Sequence, residues 1–242
     1  MRLIHRRYLG RKFLVKLGFF GVLVAVLFGT TVYAGDLVLQ GYDPSQKTQM
    51  QASQVDLPTN EEIHDKANQL FHNTSDPEAG NPKGHITLVE FFDYRCVHSI
   101  RMTEAIADLI KSNPDLRVVF KDFPIFGNLS VYAAKAALAA KNQGKYYEFH
   151  EALMLAKGEL NKDKILAVAK QVGLDTDKLL VDMKSSTIDK QLKANQKLAN
   201  SLSLNATPIF FIAKTNVTKS SPIDFVLGEV REQQLQLSII KV

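Results

Sequence analysis

ITLVEFFDYRCVHSIRM, residues 86–102, is the stretch on which the reading of this chain turns. Residues 86–92 are an apolar run rich in β-branched and aromatic side chains, without Gly or Pro, and read as a buried strand. After a short turn comes Cys96, the only cysteine among 242 residues. Ile100, Ile106, Leu109 and Ile110 then recur at helical spacing. The single thiol therefore falls where a strand ends and a helix begins. The partial positive charge and unpaired N–H groups of a helix N-terminus favour thiolate over thiol. That placement sets Cys96 apart from an inert core cysteine.

Outward from this stretch, residues 75–84 (SDPEAGNPKG) are turn chemistry. The helix after Cys96 is expected to run to about Ser112, where Asn113-Pro114 stops it. Residues 116–120 (LRVVF) read as a second strand, parallel to the first through the helical crossover, and 122–127 (DFPIFG) as a loop. Helical patterns follow over 131–142, 145–157, 162–172, 175–183 and 188–202. His150 lies among them and is read as a packing residue. Strand patterns return at 209–213 (IFFIA) and 224–227 (DFVL), and a last amphipathic helix spans about 231–240. The order β-α-β, helical block, β-β-α predicts an α/β fold. It has a mixed sheet flanked by helices, with a helical insertion at about 129–203.

The formal net charge of +5 is unevenly placed. Residues 1–34 hold six basic residues and no acid, which leaves the remainder slightly acidic and gives no argument for nucleic-acid binding. A basic region ending at Lys16, an apolar region over 17–32 and small residues around Ala34 have the layout of a secretory signal peptide. The apolar run is short for a spanning helix, which needs about 20 residues, yet a retained N-terminal anchor is the alternative. An exported protein with one cysteine has no internal disulfide. Its thiol is either reactive or paired with another molecule.

Residues 35–79 are expected to hold a polar linker, over 35–58, and then a helix over 59–73. Thr59 and Glu62 are spaced as a capping box, and Ile63, Ala67, Leu70 and Phe71 form one apolar stripe. One short helix cannot bury such a stripe alone. It packs on the body or pairs with another chain, the second reading being a homodimer through 59–73.

Four separated segments carry a resemblance. They are GNPKGHITLVEFFDYRC (80–96), VVFKDFPIFG (118–127), GKYYEFHEAL (144–153) and ATPIFFI (206–212). Together they resemble the DsbA family of thiol–disulfide oxidoreductases, a thioredoxin fold with an inserted helical domain, across residues 80–242. The resemblance implies that Cys96 is the attacking thiol and that His98 stabilises its thiolate. It also implies that Thr207 and cis-Pro208 shape a substrate groove, and that Glu90, buried on the first strand, moves protons. Lys121 is a topological guess for the partner of Glu90. Against these, His98 as an exposed helix-start residue and Pro208 as a trans proline opening a strand are the plain alternatives. No cofactor is implied, and one cysteine with scattered histidines supports no metal site. The implied partners are cysteine-containing exported proteins and a membrane or periplasmic redox protein, and the implied location is a periplasm.

The chain departs from the family at Ser99, where the second cysteine of a C-x-x-C pair is expected. A hydroxyl donates a hydrogen bond to a thiolate but does not attack a mixed disulfide. Dithiol cycling is thereby excluded. Three readings stay open: a natural or engineered form of a DsbA-like enzyme in which Ser99 replaces the resolving cysteine, the engineered form trapping mixed disulfides; a monothiol exchanger or isomerase; and a non-redox binding or chaperone module that keeps the groove.

Overall fold

The capping box at Thr59 forms: Glu62 N donates to the Thr59 hydroxyl at 3.3 Å and Thr59 N donates to the Glu62 carboxylate at 2.8 Å. The computed structural model describes residues 57–242; the leader (1–34) and the linker up to residue 56 lie outside the described residues. Two short helices, α1 (Asn60–Asp65) and α2 (Ala67–Phe71), replace the single helix expected over 59–73. The chain leaves helical geometry at Lys66, whose N–H turns back to the carbonyls of Ile63 and His64.

The predicted turn at 75–84 contains a strand, β1 (Glu78–Gly80). It is followed by β2 (Ile86–Phe92), α3 (Val97–Ser112) and β3 (Leu116–Asp122), which runs two residues past its expected end. The insertion consists of α4 (Asn128–Ala140), α5 (Tyr146–Met154), α6 (Lys162–Gln171), α7 (Thr176–Asp182) and α8 (Ser186–Ser201). Strands β4 (Ile209–Lys214) and β5 (Ile223–Leu227) and helix α9 (Glu232–Lys241) complete the chain. The sheet order is β1-β3-β2-β4-β5, with β2 and β3 parallel and the other pairs antiparallel. The mixed α/β sheet read from the strand order is thus the observed one. Strand β1 escapes the sequence reading because it is three residues long and its pairing is set by glycine. Gly80 has φ +76°, and a Cβ there would lie 2.4 Å from the Leu116 carbonyl oxygen.

Alternation along the strands sorts the core into two layers. Leu88 and Phe92 of β2, Phe120 of β3 and Phe210 of β4 face one side, with Ile106 and Leu109 of α3, Leu235 of α9 and the insertion helices. Val89, Phe91, Val119 and Phe211 face the other, where they bury Ile63, Leu70 and Phe71 together with Leu198 and Leu202. The apolar stripe of 59–73 is therefore used within the chain, on the body of the fold.

Two buried cations of β3 fasten the segment there. Arg117 donates to the Phe71 carbonyl and to Glu78 Oε1, and Lys121 donates to the Gln69 carbonyl and the buried Asp76 carboxylate. The C-terminal carbonyls of α2 lack intrahelical partners, so these side chains complete its end. Among the described residues, no helix is long and apolar enough to cross a membrane.

Candidate active site

Strand β2 ends at Phe92, and the chain turns through Asp93, Tyr94 and Arg95 into α3. Cys96 is the N-cap residue of α3, with extended backbone at φ −78° and ψ 115°, and its N–H closes the turn on the Asp93 carbonyl at 3.0 Å. The turn is held by the Asp93 carboxylate, which is buried and accepts four hydrogen bonds. Arg95 N (2.7 Å) and Ser130 Oγ (2.8 Å) donate to one oxygen, and Ile125 N (2.7 Å) and Phe126 N (3.0 Å) to the other. Arg95 Nη1 adds a bond to the Phe126 carbonyl at 2.6 Å. One carboxylate thus joins the cysteine turn, the 123–127 loop and the start of α4. An acid directly after a buried strand was visible in the sequence, but its four donors come from three separate segments.

Cys96 is 4% exposed, and its Sγ donates to the Thr207 carbonyl at 3.2 Å. The Thr207–Pro208 peptide is cis, and Gly228 N donates to the Pro208 carbonyl at 2.8 Å, tying the turn after β5 to this loop. That turn presents Glu229. His98 Nδ1 lies 2.9 Å from Glu229 Oε2, and Arg101 Nη1 donates to the same oxygen at 3.1 Å. The bonds from His98 and Arg101 hold the Glu229 carboxyl below the usual carboxylate range. Nothing in the sequence connects residues 98 and 229; the sheet and the cis-proline loop bring them together.

The neighbouring interior holds buried polar groups without partners. Ser99 is fully buried, and its hydroxyl has no hydrogen-bond partner; the Thr207 hydroxyl likewise has none. Both carboxyl oxygens of Glu90 are buried without a partner, and burial, then the charge of Asp122, pushes its pKa up to about 8. The expected pairing of Glu90 with Lys121 is not formed. Glu90 stands abreast of Phe120, so Lys121, one residue further along β3, points to the opposite face and pairs with Asp76 instead.

The residue that does share the face of Glu90 is Asp122. Burial raises it to about 8 as well, and Tyr146 Oη donates to its Oδ2 at 3.0 Å. Tyr94 Oη and His150 Nδ1 lie 3.1 Å apart. His150 packs edge-on to Phe92 at 4.7 Å, and burial lowers its pKa to about 3, so it is neutral. In the sequence Asp122, Tyr94 and His150 look like ordinary loop or packing chemistry; the fold gathers them, with Tyr146 and Glu90, into one buried polar group. Among the described residues, no group of three or more His, Cys, Asp or Glu is placed to hold a metal ion.

Residues 87–239 match the family model for the DSBA-like thioredoxin domain. The chain belongs to that family. A thioredoxin-like oxidoreductase from Silicibacter pomeroyi DSS-3 is 37% identical, with a TM-score of 0.66 over 72% of this chain and 95% of that one. The thiol-disulfide exchange protein alpha-DsbA2 from Wolbachia pipientis is 28% identical, with a TM-score of 0.67 over 75% and 94%. Among curated proteins, a Na(+)/H(+) antiporter NhaA of Herminiimonas arsenicoxydans is 28% identical over 142 residues, which is 57% of this chain and 23% of the antiporter. The chain thus spans less than a quarter of the length of that relative. Ser99, three residues after Cys96, is buried in the first turn of α3.

Proposed function

We propose that this protein carries out thiol–disulfide exchange on protein substrates, with Cys96 as the attacking group. The observation that carries the reading is the contact of Cys96 Sγ with the Thr207 carbonyl beside a cis peptide. It sets the sulfur at a helix N-terminus against an extended backbone edge on which a substrate strand can lie. The names of the Silicibacter and Wolbachia relatives support the same chemistry. In the capture step the Cys96 thiolate attacks one sulfur of a substrate disulfide, a Cys96–substrate disulfide forms, and the other substrate sulfur leaves as thiolate. One S–S bond breaks and one forms. Ser99 supplies no second thiol, so release requires a thiol from outside the chain. The cycle is that of a monothiol exchanger or isomerase.

Residues 1–34 favour export, and we place the activity in a periplasm-like space on cysteine-containing exported proteins, with a second redox protein or small thiol closing the cycle. The antiporter match adds no transport activity to this proposal, since it covers only 23% of that protein.

Intact mass after incubation with glutathione disulfide tests the reading. The expected result is one glutathione adduct, absent from Cys96→Ala. An unmodified Cys96 after long exposure overturns it in favour of the non-redox binding module. Restoring the pair with Ser99→Cys is expected to make the adduct transient and to confer oxidation of a reduced, unfolded protein.

A further inference from the structure

Glu229 and His98 make an arrangement that capture of a substrate does not require. An ionised carboxylate only accepts hydrogen bonds, so at the 2.9 Å contact with Glu229 the proton sits on Nδ1 of His98. With that proton on Nδ1, Nε2 is the ring nitrogen that exchanges a proton with the surroundings. Arg101 shares the Glu229 oxygen, and its charge helps keep that carboxylate ionised. His98 lies in the first turn of α3, two residues beyond Cys96, and about half of its side chain faces solvent. Glu229 is held by a turn that is itself bonded to Pro208. A carboxylate orienting a half-exposed histidine whose second nitrogen makes no hydrogen bond among the described residues is the geometry of a general-base pair.

The step that needs a base in this chain is release. A thiol of ordinary pKa, about 8.5, is only about 3% thiolate at pH 7, and only the thiolate attacks. An enzyme with a second cysteine supplies its own nucleophile; here Ser99 does not.

We infer that His98, held by Glu229, is the general base that deprotonates the external thiol releasing Cys96 from its mixed disulfide. The inference rests on the exchange function proposed above. His98 Nε2 takes the proton of the incoming thiol R–SH. The thiolate attacks the substrate sulfur, an R–S–S–substrate bond forms as the Cys96–substrate bond breaks, and Cys96 leaves as thiolate. The proton on His98 then passes to that thiolate or to water. No net oxidation occurs. His98 is the catalytic residue and Glu229 the positioning residue. The charged groups that meet at the ring are Glu229 and, through it, Arg101.

The thiolate fraction also bounds the effect, because complete deprotonation of the incoming thiol at pH 7 accelerates release by about 30-fold at most. The test begins with the full chain carrying glutathione on Cys96 and follows its release by reduced glutathione across pH. His98→Gln is expected to slow release about tenfold at pH 7, and Glu229→Ala severalfold. The double variant should be no slower than His98→Gln alone. All forms should converge near pH 9.5, where the attacking thiol is ionised without help. Equal release by wild type and His98→Gln at pH 7 overturns the inference. So does a deficit of the same size at pH 7 and pH 9.5, which marks a structural effect. Failure to load Cys96 with glutathione is a different result, and overturns the exchange function itself.

Discussion

Glu90 and Asp122 sit on one face of the sheet, and burial raises both to about 8. In the unfolded chain each has an ordinary carboxyl pKa, 4.5 and 3.8. The folded state therefore binds more protons between those limits, and stability is lost as pH climbs from about 4 through 8. Glu90→Gln removes part of that proton uptake. Its unfolding free energy should change less than that of the wild type between pH 5 and pH 9, by on the order of a few kcal/mol, as read from urea titrations. A wild type with flat stability over that range would refute the assignment. His150 acts at the other end: its pKa falls from 6.5 to about 3 on folding, so its contribution is present above 6.5 and lost as pH falls toward 3. Replacing it with Phe should flatten the acid limb of the same titration. The acidity of position 90 was legible in the sequence as a charge inside an apolar run. Its partner was not, because a one-residue difference along β3 decides which face a side chain occupies, and that register exists only in the folded sheet.

At the scale of elements, β3 links the face of Glu90 to the clamp on α2. Its even face contributes Asp122 to the site, and its odd face contributes Lys121 to the clamp on α2. Burial pulls Lys121 down and Asp76 up, each toward its neutral form, and their mutual attraction opposes this. Removing one partner leaves a buried group unpaired, so Lys121→Met should destabilise by about 3–5 kcal/mol, whereas replacing both partners with apolar residues should cost much less. A double-mutant cycle by denaturant unfolding measures the difference.

The turn between β2 and α3 has a comparable single fastening. Asp93→Ala strands four donors, and the loss is expected at about 2–4 kcal/mol with faster amide exchange at Ile125 and Phe126, the two loop N–H groups it holds. The strand and helix flanking Cys96 were readable from periodicity. The short β1 and the break at Lys66 were not, since each depends on contacts made elsewhere: a close backbone approach at Gly80, and the burial of Ile63 and Phe71 on the sheet.

For the molecule as a whole, the segment 57–80 is part of the domain. It supplies an edge strand and a share of the second core layer. A chain lacking residues 35–75 should therefore melt at a markedly lower temperature, through loss of buried Ile63, Leu70 and Phe71, each worth about 2–5 kcal/mol on truncation. Gel filtration should show no dissociation on the same deletion. A change from dimer to monomer would instead establish self-association through 59–73.

The strand–cysteine–helix unit, the element order of a mixed sheet with a helical insertion, and a hydroxyl rather than a thiol at Ser99 can all be read along the chain. All are matters of local pattern or residue identity. That Thr207 faces Cys96, that Asp122 rather than Lys121 shares the face of Glu90, and that Glu229 holds His98 follow from the folded chain alone. These are meetings of residues up to 131 positions apart, and sheet register and the crossing of loops set them.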